Sequence, residues 1–257
     1  MENIFALKAY QDNYIWVLPT AEGKRAYVVD PGEADPVRAG LKAAGLDLAG
    51  ILVTHHHGDH VNGIKELVAD NPVPVIGPVD ERLAALITRQ VRDGDVVELD
   101  GLPVPLQVLE IPGHTSSHIA FYGGGALFCG DTLFAGGCGR IFEGTPEQMY
   151  NSLQRLASLP GDTRVYCAHE YTESNLRFAL QVEPDNQALR ERLAKVSAQR
   201  ARDEITLPST LAEELATNPF LRADQRSVIE SAERHAGRPL SSPAEVFAAV
   251  RAWKDAA

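Results

Sequence analysis

Five side chains that can bind a metal ion, four histidines and one aspartate, fall within one short stretch of the chain, residues 54–60, with the sequence Thr-His-His-His-Gly-Asp-His. Imidazole nitrogens and carboxylate oxygens are the ligands that zinc and related ions take in catalytic sites. The stretch follows residues 51–53, Ile-Leu-Val, an apolar run typical of a buried strand. A surface zinc site or a purification-tag-like cluster is the alternative. The cluster is internal and follows a buried run, which favours a metal site built into the fold.

The spacing within this stretch predicts that its side chains point in two directions. Residues two apart in an extended segment point the same way, so His55 and His57 can reach one metal while His56 points elsewhere. The glycine that follows permits a sharp turn. After it, Asp59 and His60 can turn toward a second metal. The stretch therefore indicates a centre with two metal ions.

Three further candidates each follow an apolar run: His114 after 108–111, Asp131 after 127–129, and His169 after 165–167. A single histidine is more often a structural residue than a ligand. Side chains from several strand ends that converge on one sheet edge are, however, the usual way in which α/β folds build sites. We therefore expect these three to join the stretch at 54–60.

The elements around these residues change in character along the chain. The predicted strands are 4–7, 14–18, 26–29, 51–53, 73–76, 96–99, 105–111, 119–122, 126–129 and 164–167. Helices are predicted over 36–44 and 61–68, and capping boxes at Thr145–Gln148 and Ser242–Glu245 start two more. Helical periodicity dominates after residue 168. We therefore predict a mixed α/β domain, 1–168, and a helical domain, 169–257.

Composition excludes several classes of partner. The 257 residues carry 24 Lys and Arg against 35 Asp and Glu, a net charge of −11. This balance disfavours nucleic acid and anionic membranes as partners. The N-terminus lacks the pattern of a signal peptide, and no apolar stretch is long enough to span a bilayer. Three cysteines, an odd number, favour a reducing compartment, so we predict a cytoplasmic protein.

The order T-H-x-H-x-D-H, G-H-T, G-D-T and a late histidine resembles the metallo-β-lactamase superfamily, whose fold is an αββα sandwich. Residues 131–134 (DTLF), 136–140 (GGCGR), 169–172 (HEYT) and 251–254 (RAWK) are similar to the glyoxalase II family, the hydroxyacylglutathione hydrolases. That family adds a helical C-terminal domain. The resemblance therefore implies an α/β fold, the αββα sandwich, followed by an α-helical domain.

The resemblance also implies a ligand set for two divalent ions. His55, His57 and His114 would bind the first metal, Asp59, His60 and His169 the second, and Asp131 would bridge both. Zn²⁺ is the expected ion, and Fe²⁺ or Mn²⁺ also accept imidazole and carboxylate. Two metals lower the pKa of a bridging water toward 7, which supplies a hydroxide nucleophile. Asp59 would orient it, so Asp59 and Asp131 are the expected catalytic residues.

The implied reaction is hydrolysis of the thioester S-D-lactoylglutathione to glutathione and D-lactate, a step of methylglyoxal detoxification. This substrate is anionic, and the resemblance assigns cations to it: Arg251 and Lys254 for the glycine carboxylate, and Arg140, with Tyr171, for the tripeptide backbone. Phe142 stands where the family often has tyrosine and would be an apolar wall. Without the resemblance, Arg251 and Lys254 would read as solvated charges on a terminal helix. We expect a monomer.

Other functions remain open. Within the superfamily these are a lactonase, another thioesterase, a β-lactamase, a tRNA-processing nuclease or a persulfide dioxygenase. The acidic balance opposes a nuclease, and a single-iron dioxygenase would not need seven ligands. A structural zinc module would be closed and often rich in thiolate ligands. The roles of Asp30, His56 and His118 are also open: each either orients a ligand or serves the local structure.

Overall fold

The structure, a computed structural model, describes Met1 and residues 3–257 and consists of two compact units. The first unit comprises residues up to Glu110 together with Ser117–Gly130; the second comprises Ile111–Ser116 and Asp131–Ala257. The predicted division at residue 168 rests on sequence character, not on contacts, and stays a prediction. Among the described residues, none of the helices has both the length and the apolar character to cross a bilayer.

A six-stranded sheet forms one part of the first unit. Its strands lie in chain order: β1 (Phe5–Ala9), β2 (Asn13–Pro19), β3 (Arg25–Val29), β4 (Asp47–Leu52), β5 (Val75–Pro78) and β6 (Arg89–Val91). The first three strands pair antiparallel and β3 to β6 pair parallel. β4 is buried over its last three residues, as its apolar sequence predicts. The histidine-rich stretch follows where β4 ends.

Three helices accompany this sheet: α1 (Ala34–Ala44), α2 (Gly58–Val61) and α3 (Ile64–Asp70). The prediction of one helix over 61–68 is wrong, because two short helices meet there at Gly63. A Cβ atom on Gly63 would lie 2.6 Å from the carbonyl carbon of Glu33, so the two backbones pass in contact. This close approach separates α2, which ends at Val61, from α3.

Four further strands of the first unit lie in the order β10-β9-β8-β7. They are β7 (Val96–Val97), β8 (Leu106–Glu110), β9 (Ile119–Gly123) and β10 (Ala126–Gly130). β8, β9 and β10 match their predicted positions closely, whereas β7 is shorter than predicted. The three-residue strand β6 was not predicted, because Arg89-Gln90-Val91 has no apolar run.

The second unit is mainly helical. It contains a small hairpin of β11 (Leu133–Phe134) and β12 (Gly137–Cys138), a strand pair of β13 (Arg164–Cys167) and β14 (Ser209–Thr210), and six helices: α4 (Pro146–Ala157), α5 (Thr172–Val182), α6 (Gln187–Arg200), α7 (Leu211–Thr217), α8 (Arg226–Ala236) and α9 (Pro243–Asp255). The prediction of helical structure after residue 168 is confirmed. The two-residue strands give too short a pattern for sequence-based prediction.

The two predicted capping boxes have different outcomes. Thr145 and Gln148 form a complete box at the start of α4, as predicted. Ser242 accepts from the Glu245 amide at 3.3 Å, which is half of the second box. The Glu245 carboxylate instead accepts from the Ser241 amide at 2.9 Å, so the reciprocal bond lies one residue earlier than predicted.

Candidate metal centre

The four candidate ligands of the first unit lie next to one another, directly after β4. The ring of His55 lies 4.8 Å from that of His57 and 4.1 Å from that of His60, measured between centroids. His60 Nε2 lies 3.4 Å from an oxygen of Asp59. His55 and His60 are buried, whereas Asp59 is partly exposed. The predicted clustering of these four residues is therefore present in the structure.

Asp30 orients two of these imidazoles. Its Oδ1 accepts from the Thr54 amide and its Oδ2 from the Thr54 hydroxyl, both at 2.7 Å. The same Oδ2 lies 3.1 Å from His60 Nδ1. Since the carboxylate can only accept, His60 carries its proton on Nδ1. Of the two roles left open for Asp30, the structure shows contact with an imidazole, that of the candidate ligand His60.

The Thr54 hydroxyl extends this orientation to His55. Thr54 Oγ1 lies 3.0 Å from His55 Nδ1. Its single proton is already donated to Asp30, so the hydroxyl accepts from His55 Nδ1. Asp30, His55 and His60 also have ligand atoms within 4.8 Å of one another. Because both carboxylate oxygens of Asp30 already accept hydrogen bonds, we assign Asp30 to orientation, which leaves each Nε2 as the metal-binding atom.

Asn13 provides a contact that the sequence did not reveal. Its Nδ2 donates to Asp59 Oδ2 at 2.9 Å, and Asn13 itself is buried at the start of β2. The loop after Asp30 also packs against the backbone of Asp59, since a Cβ on Gly32 would lie 1.9 Å from the Asp59 carbonyl oxygen. An asparagine in a turn between strands is common, so no sequence signal distinguished this one.

His118 and His56 have different surroundings. His118 is buried, stacks on His55 at 4.5 Å and has Nδ1 3.0 Å from the Ile119 carbonyl. It therefore supports the ring plane of His55. His56 has Nδ1 3.6 Å from Asp80 Oδ2. Hydrogen bonds from Arg82 hold the pKa of Asp80 well below its usual value, so a carboxylate faces His56.

The three candidate ligands of the second unit also come together. Asp131 Oδ2 lies 3.5 Å from His114 Nε2 and 3.4 Å from His169 Nε2. His114 Nδ1 lies 2.8 Å from the Arg140 carbonyl and therefore donates to it, which directs Nε2 toward Asp131. One carboxylate oxygen therefore lies close to the candidate donor nitrogens of two imidazoles.

This donor set fits divalent metal ions. It offers imidazole Nε2 atoms whose Nδ1 positions are fixed by hydrogen bonds, together with carboxylates, in both units. Thiolates do not contribute. Cys129, Cys138 and Cys167 are buried, and burial raises the pKa of the Cys138 thiol and raises that of Cys167 to about 12. At neutral pH these two are therefore thiols and act as small core residues.

Two aromatic rings accompany the ligands of the second unit. Tyr171 stacks on His169 with 4.8 Å between centroids and 6° between planes. Phe142 is 63% exposed, and its ring lies 5.3 Å from that of His114. An exposed aromatic side chain beside a ligand is consistent with the predicted apolar wall.

Two of the three candidate cations lie beside one carboxylate, that of Asp255. Arg251 Nη2 lies 2.9 Å and Arg140 Nε 3.4 Å from Asp255 Oδ1. Lys254 donates to Asn175 Oδ1, and burial, aided by the charge of Arg251, lowers the pKa of Lys254 to about 8. Sequence reasoning missed Asp255, whose signal was its place four residues after Arg251 on α9.

Arg251 is oriented differently from the prediction. We expected it to reach out from α9, but it is only 5% exposed. Its Nη1 donates to the Cys138 carbonyl at 2.9 Å, and the guanidinium lies 5.1 Å from the Phe220 ring centre. The sequence predicted the position of Arg251 on the helix but not the direction of its side chain, which packs inward against the β11–β12 hairpin.

Comparison with known proteins agrees with this architecture. Residues 9–169 match the metallo-β-lactamase superfamily, and residues 170–257 match the C-terminus of hydroxyacylglutathione hydrolase. A hydroxyacylglutathione hydrolase of Alkalilimnicola ehrlichii is 56% identical over 99% of both chains. The fold is therefore the metallo-β-lactamase fold followed by a C-terminal helical region.

Two solved structures resemble the chain as well. ETHE1 from Myxococcus xanthus has 26% identity and a TM-score of 0.66, with 99% of each chain covered. TTHA1623, solved in a di-iron-bound form, has 28% identity and a TM-score of 0.60, with 85% of this chain and all of the other covered. A related protein thus holds two metal ions, and they are iron.

Proposed function

The chain belongs to the hydroxyacylglutathione hydrolase family within the metallo-β-lactamase superfamily, and from this premise we propose that it hydrolyses S-D-lactoylglutathione to glutathione and D-lactate. It is an enzyme, a thioester hydrolase. The observation that carries the proposal is the donor set, in which one oxygen of Asp131 lies within 3.5 Å of two imidazole nitrogens. Such a set suits two metals that share a carboxylate.

We assign seven ligands to two divalent ions. They are His55, His57 and His114 for one ion, Asp59, His60 and His169 for the other, and Asp131 for both. A bound pair of such ions supplies a nucleophile at neutral pH and stabilises negative charge at a reacting carbonyl. Zinc is the proposed metal, and the di-iron relative keeps iron open as the alternative.

The residues around this set have separate tasks. Asp59, held by Asn13 at 2.9 Å, would accept and direct a proton of the attacking water. Phe142 would exclude water on the side of the acyl group. A glutathione thiolate leaves with an ordinary thiol pKa of about 8.5, so a separate general acid is not required.

The glutathione end would lie at the cations of the second unit. Arg140, Arg251, Lys254 and the ring of Tyr171 form the proposed tripeptide site. Three cations and one carboxylate leave a local positive charge in a chain of net charge −11. Because the glycine carboxylate is remote from the thioester, its contacts should be equally strong in ground and transition states.

The cellular location and the oligomeric state are also parts of this proposal. The buried thiols support a reducing, cytoplasmic location. A monomeric state is proposed from the sequence alone.

Four substrates separate the proposed activity from its alternatives. Metal-loaded protein should release thiol from S-D-lactoylglutathione far faster than it turns over a homoserine lactone, nitrocefin or glutathione persulfide. A matched thioester without the tripeptide should show a higher KM at similar kcat. Faster turnover of the lactone would instead favour the lactonase alternative, and the tripeptide site would then lose its support.

A further inference from the structure

The β11–β12 hairpin, residues 133–138, is held by buried polar side chains from the helices of the second unit. Asn218 Nδ2 donates to the Phe134 and Gly137 carbonyls at 3.2 and 2.9 Å. Glu214 Oε2 accepts from the Gly136 amide at 2.8 Å. We call Asn218, Glu214, Asn175 and Arg251 the clamp.

The other two members of the clamp bind two further carbonyls of the hairpin. Asn175 Nδ2 donates to the Ala135 carbonyl at 3.0 Å, and Arg251 Nη1 donates to that of Cys138 at 2.9 Å. All four clamp side chains are at most 5% exposed. Thus each residue from 134 to 138 has a backbone group bound by a clamp side chain.

The hairpin is pressed closely against these helices. A Cβ on Gly137 would lie 2.6 Å from the Asn175 side chain, and one on Gly136 would lie 2.7 Å from Leu176. Two-residue strands cannot hold themselves in place, because an isolated hairpin is marginally stable even when longer. The clamp therefore determines where the hairpin lies.

Both ends of the hairpin lead to the metal ligands. Asp131 lies two residues before β11, and Arg140, whose carbonyl accepts from His114 Nδ1, lies two residues after β12. Gly139 donates to the Thr132 carbonyl at 3.2 Å, which ties these two flanks together. A shift of the hairpin would thus move one proposed ligand and the group that orients another.

We propose that Asn218 is a positioning residue for the metal centre, acting with Glu214 through the β11–β12 hairpin on Asp131 and His114. Glu214 is fully buried, and Arg192, 2.5 Å away, compensates its charge. Asn218 also donates to Glu214 at 3.1 Å, so the two act as one unit. The inference rests on the proposed function insofar as Asp131 and His114 are taken as ligands.

Asn218→Ala provides the first test, with zinc affinity as the readout. Competition with a chromophoric chelator should show about a 10-fold loss of affinity, at the lower end of what an outer partner of a metal ligand contributes. Asn186→Ala is the matched control. It removes the same amide group, and Asn186 also contacts α7, where it donates to the Ala216 carbonyl at 3.0 Å. Its side-chain hydrogen bonds go to Ala216 and Leu189 and not to the hairpin, Glu214 or Arg192. Its zinc affinity should equal that of the wild type even where its Tm falls.

Equal zinc affinity in Asn218→Ala, Asn186→Ala and wild type would overturn the proposal and leave Asn218 a structural residue. A second measurement needs no variant. Linkage requires that zinc binding stabilise the hairpin if the hairpin stabilises zinc binding. Hydrogen exchange of the Gly136 amide in wild-type protein should slow about 10-fold on zinc loading, by the same linkage. Identical exchange with and without zinc would also overturn it.

Neither measurement uses a substrate. Failure of the clamp is therefore distinguishable from failure of the proposed thioesterase activity, which the wild-type protein tests by itself.

Discussion

The two units position their proposed metal ligands in different ways. In the first unit, His55, His57, Asp59 and His60 lie on one continuous stretch after β4, and Asp30 orients two of them through adjacent hydrogen bonds. In the second unit, three ligands come from segments up to 55 positions apart, as the difference 169 − 114 gives. The first arrangement is local, whereas the second depends on distant packing. The comparison indicates that the same donor types can be brought together either from adjacent residues or from residues far apart in the sequence.

The largest expected effect follows from Asp131→Ala, which removes the carboxylate oxygen that lies within 3.5 Å of His114 and His169. Activity should fall by more than the roughly 10–100-fold that the loss of an outer partner costs, because a ligand itself is lost. Bound metal should drop from two equivalents toward one by elemental analysis, with circular dichroism as a check on folding. An active variant with two equivalents would show that Asp131 is not shared.

Asp30→Ala tests the local arrangement in the first unit. It removes the acceptor of His60 Nδ1 and of the Thr54 hydroxyl. Zinc affinity should fall about 10–100-fold. Thr54→Val removes the hydroxyl contacts to His55 and to Asp30 but leaves His60 its acceptor, so it should cost less. The two effects should not add, because they share one network. Chelator competition measures both, and full additivity would contradict a single orienting network.

Lys254 gives the second unit a pH dependence. Burial lowers the pKa of Lys254 to about 8. The free enzyme therefore carries the ammonium below pH 8 and loses it as the pH rises. Since an ammonium binds the anionic substrate better, kcat/KM for S-D-lactoylglutathione should fall up to about 10-fold between neutral pH and pH 9.5, the value of one charge-assisted hydrogen bond. kcat should change little, after correction for spontaneous hydrolysis.

Lys254→Met is the control for this pH dependence. Its kcat/KM should be low at neutral pH and should lack the fall above pH 8. A fall that persists in Lys254→Met would assign the titration to another group.

The smallest effect is expected from His56→Ala. His56 faces Asp80, whose carboxylate also accepts from Arg82 and from Ser117 at 2.5 Å, so its loss leaves Asp80 with partners. The rate should stay within about threefold of wild type, a change of less than about 1 kcal/mol. Steady-state kinetics measure this, and a loss larger than that of Asp131→Ala would refute the strand-alternation argument.

Much of the fold follows from the sequence because its signals are local. The apolar run before residue 54 and the Thr145 capping box each depend on neighbours in the chain. The division of the predicted helix 61–68 does not. It results from contact between Gly63 and the backbone of Glu33, which no pattern near residue 63 reveals.

The donor types, their spacing and the strand ends that carry them can be read from the order of residues, because backbone periodicity sets the direction in which each side chain leaves the chain. The contacts that long or distant side chains make depend instead on tertiary packing. Asn13 meets Asp59 from 46 positions away, and Arg251 turns inward to Cys138 from 113 positions away. The physical reason is that several rotatable bonds separate an arginine head group from its backbone, so burial and available acceptors, not helix position, select its direction.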